Sequence, residues 1–173
     1  KHIVLCEDHY NPLGIVRSLG EANIKPIVIL CGANHHLIEN SKYIGVLHRC
    51  NSLEEGLAFL VSSYSNESKK PFIYHGADDI SLMLDEHYFE LRDNFFFMNA
   101  CGGLKKYLQK YDMNQLSKEC GILVPNEELL PVGVLPTHLK YPLFTKAATS
   151  SNHGAWKDQA FICKNEEELK QAY

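Results

Sequence analysis

Through its first hundred residues the chain alternates short apolar runs with amphipathic stretches. "HIVLCED" (2–8) is an apolar run of strand length, and "NPLGIVRSLGEAN" (11–23) sets Leu13, Val16 and Leu19 on one helical face. "KPIVILC" (25–31) is a second strand. Strand, helix and strand in this order make a β-α-β unit, which builds a parallel sheet with a right-handed crossover. A polar connection from Asn34 to Tyr43 leads to a third strand, "GVLHRC" (45–50). The next helix opens at Ser52, with Glu55 three positions on as its capping-box partner. "KPFIYHG" (70–76) predicts a fourth strand, "ADDISLMLDEHYFEL" (77–91) a helix, and "FFFMNA" (95–100) a fifth strand. Alternation of this kind predicts an open, doubly wound α/β domain over residues 1–100.

The pattern then changes. "GGLKKYLQKYDMNQLSKECGILVPN" (102–126) is helical up to Gly121, a C-terminal stop, and Pro125 opens an extended segment. Two strand-like runs, "LFTKAA" (143–148) and "AWKDQAFICK" (155–164), flank a Ser/Asn/Gly loop and predict an antiparallel hairpin, after which "NEEELKQAY" begins a helix. The chain starts at a lysine and ends inside that helix, so we expect an excised or trimmed fragment.

Composition removes several classes of function. A net charge of -4 and a pI near 6.1 argue against a nucleic-acid surface, and the one dense basic cluster, Lys105, Lys106 and Lys110, falls on a helix. Six cysteines lie scattered without a C-x-x-C pair, as reduced core residues of a cytoplasmic protein do. Neither the His35-His36 pair nor any Cys/His spacing matches a metal motif. No run of ~18 apolar residues is present, so no membrane partner is expected. The first turn after the first strand lacks G-x-G-x-x-G, and "CGANHH" after the second lacks an acidic ribose ligand, which argues against a nicotinamide or flavin cofactor. A ligand of such a sheet still belongs beyond the carboxyl ends of the strands, near Glu7, Asp8, His75, Asp78 and Asp79. The acids Asp78 and Asp79 also suit the first turn of a helix.

In "YPLFTKAATSSNHG", strand periodicity puts Phe144 and Lys146 on one face, so the lysine sits beside an apolar neighbour and needs an edge or an anion. The small residues Ser150, Ser151 and Gly154 let backbone N–H groups approach phosphate oxygens.

The order of these features resembles the ATP-grasp carboxylate–amine ligases, and the D-aspartate ligase-like branch in particular. The match rests on "KYDMNQLSKECGILVP", where Lys110 stands eleven positions before the glycine of the "GI-x-x-P" pattern, and on "YP-x-x-x-K", which ends at Lys146. Gln109 stands where the family has an acidic residue, and "ATSSNHG" is poorer in glycine than the usual loop. The resemblance implies a Rossmann-like pre-ATP-grasp domain (1–100) followed by linker helices and an incomplete α+β ATP-grasp subdomain (101–173). It implies ATP contacts from Lys110, Lys146, Ser150, Ser151 and Gly154, and a substrate pocket near His75, Asp78 and Asp79. Magnesium ligands are expected beyond residue 173, so the fragment alone is expected to be inactive. The implied partners are a small carboxylate and a small amine, and a homodimer is compatible with the class. The rival reading is a non-catalytic α/β module that binds a small molecule or a protein and keeps a degenerate ATP-grasp remnant.

Overall fold

The computed structural model describes residues 1–33, 37–98, 102–108, 110–146 and 160–172, with backbone alone at 106, 108 and 110. The chain forms two compact units, Lys1–Leu104 and Lys105–Tyr173.

In the first unit, β1 (His2–Glu7), α1 (Tyr10–Glu21), β2 (Ile27–Cys31), β3 (Val46–Cys50), α2 (Leu53–Tyr64), β4 (Phe72–Tyr74), α3 (Asp78–Glu86) and α4 (Tyr88–Leu91) follow one another. The four strands make a parallel sheet in the order β3-β2-β1-β4, with Ile3 opposite Ile27 and Ile73, and Ile29 opposite His48. β1 is central because its middle residues are apolar on both faces, and Ile3, Val4, Leu5 and Cys6 are fully buried. Alternate residues feed different layers. Ile3, Leu5, Ile29 and Cys31 pack with Leu57, Leu60, Ile80 and Leu84 of α2 and α3, whereas Val4, Cys6, Val28 and Leu30 pack with Val16 of α1 and with Ile38. Each such side chain contributes about 1.5–3 kcal/mol by leaving water. The predicted α/β class with a parallel sheet is therefore the observed one.

The helix ends follow local chemistry. Ser52 Oγ accepts the Glu55 N–H at 3.2 Å, as the capping box predicts. The Glu55 carboxylate reaches one residue further back than predicted, to the N–H and the side-chain amide of Asn51, each at 2.8 Å. Gly56 fits here because a Cβ would stand 2.4 Å from Cys31 Sγ, so α2 can lie against the sheet only with no side chain at that point. The helix predicted over 77–91 breaks at His87 into α3 and α4. Of the predicted fifth strand (95–100), residues 99 and 100 lie outside the described residues, and among the described ones Phe96 forms a parallel bridge with Phe72. Phe95 turns into the core, and among the described residues of the segment the Phe96 N–H (to the Pro71 carbonyl) and the Phe96 carbonyl (from the Ile73 N–H) join the sheet.

Asp85 is the buried acid of this unit among the described residues, 2% exposed. Its two oxygens accept the backbone N–H groups of Gly102 (3.1 Å) and Leu104 (2.8 Å), which anchors the segment leading out of the unit to α3.

The second unit contains α5 (Leu104–Leu108, starting at the last residue of the first unit), α6 (Lys110–Glu119), β5 (Leu143–Lys146), β6 (Ala160–Cys163) and α7 (Glu166–Gln171). Gly121 ends α6 as predicted. Its φ of +75° lets its N–H reach the Lys118 carbonyl while the Ile122 N–H reaches that of Ser117, a Schellman arrangement. β5 and β6 pair antiparallel, Leu143 with Cys163 and Lys146 with Ala160, as the hairpin reading predicts. Asn165 Oδ1 caps α7 through the Glu168 N–H (2.9 Å), and the Glu168 carboxylate returns to the Lys164 N–H (2.8 Å).

Candidate functional site

Two concave regions stand out, one in each unit. In the first unit β2 lies on one side of β1 and β4 on the other, so the direction of winding switches between β1 and β4. A cavity of about 340 Å³ sits at that place, at the carboxyl ends of the strands, where open α/β sheets hold ligands. Glu7 and Asp8 line it from the end of β1, His9, Asn11 and Pro12 from the start of α1, and Gly76, Ala77 and Asp78 from the start of α3.

The acids here are not equivalent. The Asp8 carboxylate accepts the N–H groups of Leu37 (2.9 Å) and Ile38 (2.9 Å), pinning the β2–β3 connection so that Ile38 reaches the core. Asp78 lines the cavity from the first turn of α3. Asp79, one step round the helix, is exposed, and His75 Nδ1 lies 3.1 Å from Ser81 Oγ; neither His75 nor Asp79 is among the lining residues. Of the three predicted substrate-pocket residues, the structure brings Asp78 to the cavity.

Cys6, which also lines this cavity, is buried, and burial pushes its thiol well above the ordinary range. Burial likewise pushes Cys31 up to about 12, with the neighbouring Cys50 adding to the shift. Cys6, Cys31, Cys50 and Cys163 are thus core residues, as expected, and stay protonated at neutral pH. Cys120 is exposed, and Cys101 lies outside the described residues.

In the second unit a groove of about 1180 Å³ is walled by Tyr111 and Asn114 of α6, by residues of the extended segment 125–140, and by Phe144, Thr145 and Lys146 of β5. Lys146 and Phe144 share a face of β5 as predicted, and that face is the open one, with Phe144 65% exposed opposite Ile162, 70% exposed. Lys146 therefore keeps its hydration at the end of the strand, and among the described residues it has no carboxylate partner. Lys110 opens α6, one turn before Asn114, so the groove draws on the elements that carry both predicted phosphate-contacting lysines. Ser150, Ser151 and Gly154 lie outside the described residues. Among the described residues no group of three or more His, Cys, Asp or Glu side chains is placed to hold a metal ion, and no helix is long and apolar enough to cross a membrane.

Two glutamates missed by the motif reading shape the groove. Glu128 accepts the N–H groups of Thr137 (3.0 Å) and His138 (2.5 Å), closing the 128–138 segment on itself, and these bonds, that of Thr137 first, hold its carboxyl below the ordinary range. A carboxyl with a depressed folded value adds stability above its unfolded value and loses it as the pH falls through the folded one. Glu128→Gln should therefore melt below the wild type at pH 7. Thermal melts at successively lower pH should show the gap closing as the pH passes below about 4.5, the ordinary value of the group. Glu127 is anchored differently, with one oxygen accepting from Asn114 Nδ2 at 2.6 Å.

No protein-family model and no curated protein matches the sequence. Among solved structures, the fold is similar to that of an L-amino acid ligase from Bacillus licheniformis, with a TM-score of 0.65 at 13% identity. The similarity covers 99% of this chain and 41% of that protein, so the chain spans about two fifths of the ligase's length. At that identity the likeness establishes the fold, a mixed α/β architecture shared with part of an amino acid ligase.

Proposed function

We propose that the chain is the N-terminal part of an ATP-dependent carboxylate–amine ligase of the ATP-grasp type. In such a reaction ATP phosphorylates a carboxylate, and an amine displaces phosphate from the acyl phosphate to give an amide. The observation that carries the reading is the fold shared with an amino acid ligase along nearly the whole chain. The "YP-x-x-x-K" lysine at the groove supports it from the sequence side.

The chemistry asks for several negative charges to be gathered in one place. Lys146, hydrated and unpaired with any carboxylate among the described residues, meets that need without first breaking an ion pair. Lys110 at the start of α6 is the second cation in this reading, and Ser150, Ser151 and Gly154 supply backbone N–H groups from the connection after β5. In this reading the magnesium ligands belong to a part of the protein outside these 173 residues. The reacting partners are a small carboxylate and a small amine, with D-aspartate suggested by the sequence resemblance. The ligase of shared fold puts L-amino acids on the same panel. The cavity at Asp78, with His75 and Asp79 nearby in sequence, is our candidate for a substrate carboxylate or amine. A cytoplasmic location and pairing into a homodimer complete the reading.

The test is ADP release by the full-length protein with Mg²⁺ against paired panels of acids and amines that include D-aspartate and the L-amino acids. Release that requires both an acid and an amine is the expected result. No release with any pair, together with no ATP binding by calorimetry, would leave the chain as a binding module.

A further inference from the structure

The consecutive carboxylates of Glu127 and Glu128 both line the groove, yet they are satisfied to different degrees. Glu128 spends its oxygens on the backbone of Thr137 and His138. In Glu127, Oε2 takes the Asn114 amide, while Oε1 is shielded from solvent and has no hydrogen-bond partner among the described residues. A buried acceptor left without a donor is costly, most of all on a carboxylate, so few survive in folded proteins without a purpose.

We propose that Glu127 is a recognition point of the groove, with Oε1 accepting an N–H from the bound ligand's amino group while Asn114 holds the other oxygen and fixes the orientation. The same groove carries Lys140 and Lys146. A ligand with anionic groups at one end and an amino group at the other finds a counterpart for each, and about 1180 Å³ is ample for a molecule of nucleotide or amino acid size. The inference rests on the groove being the ligand site of the proposed ligase, whichever of its substrates lies there. Two sources share this chemistry, the exocyclic amine of a nucleobase and the free amino group of an amino acid.

Calorimetric titrations of the full-length protein separate them, with ATP, ITP (which carries an oxygen in place of the exocyclic amine), D-aspartate and L-alanine as probes. Glu127→Leu should leave the unliganded melting temperature about unchanged, because removing the buried oxygen that has no donor offsets the loss of the Asn114 bond, and should weaken the amine-bearing probe at least tenfold. If the base amine is the donor, the wild type prefers ATP to ITP at least tenfold and the variant loses the preference. If the amino acid is the donor, its affinity falls and the ATP/ITP ratio stays near one. Glu127→Gln keeps the Asn114 bond but can place an NH₂ at the Oε1 position, and should lose the same affinity in a folded protein. Unchanged binding of every probe in Glu127→Gln, or no binding of any probe by the wild type, overturns the proposal. A lowered melting temperature in Glu127→Leu with unchanged affinities also overturns it and makes Glu127 purely structural. Lys146→Ala reports separately on the nucleotide reading. Loss of ATP and ITP alike in that variant upholds phosphate binding even if Glu127 proves silent.

Discussion

Lys146→Ala should reduce ADP formation by the full-length ligase about 10²–10³-fold, the scale seen when one preorganised charge partner of a reacting group is removed. The protein should meanwhile stay as stable as the wild type. Lys146 sits at the exposed end of β5 opposite Ala160, and among the described residues no carboxylate loses a partner when it goes. Exposed substitutions of this sort change stability by about 0.5 kcal/mol or less. Fold and function can thus be read from one variant, by a melting curve and a coupled ADP assay. Lys146→Arg keeps the charge and should retain part of the activity. Full activity in the alanine variant, or ATP affinity equal to wild type, would remove the lysine from the site.

Asp85→Ala should instead act on the scaffold, destabilising the first unit by about 2–5 kcal/mol. The aspartate is 2% exposed and receives the N–H groups of Gly102 and Leu104, so truncation strands two amide donors and opens a small void. For a unit of this size, that is a drop of roughly 10 °C or more in melting temperature. Asp85→Asn keeps one acceptor oxygen and should fall between the two. Thermal melts of the three proteins decide the matter, and an alanine variant melting within about 2 °C of wild type would mean that water replaces the carboxylate at no cost.

The two residues also show what the sequence could and could not disclose. β1, β2 and α1 were legible because burial on one or both faces writes itself as a period in the apolar residues, and Ser52, Gly121 and the β5–β6 pairing because their partners lie close along the chain. Lys146 was legible as a cation in a strand. That it would lie on an open face was not, since strand periodicity says which residues share a face and not which face is covered. Asp85 and Asp8 were read as an ordinary helix residue and a neighbour of a ligand pocket. Their partners are backbone amides 17 to 30 residues away, and no side-chain pattern announces an amide. Glu127 and Glu128 stayed hidden for the same reason, being adjacent, identical and different only in what surrounds each. In "FFFMNA" strand composition was legible, but among its described residues pairing is confined to the Phe96 bridge because Phe95 turns into the core, which composition does not reveal.

The alternation along β1 has a consequence for how the first unit can change. Ile3 and Leu5 belong to one apolar layer, Val4 and Cys6 to the other, and the sheet stands between the layers as a partition. Substitutions at Leu5 and Leu57 share a layer and should be energetically coupled, whereas substitutions at Leu5 and Val16 should combine almost additively. The unit can therefore be remodelled one side at a time, with the layer behind α1 drifting in sequence while the layer beneath α2 and α3, which carries Asp85, keeps its geometry.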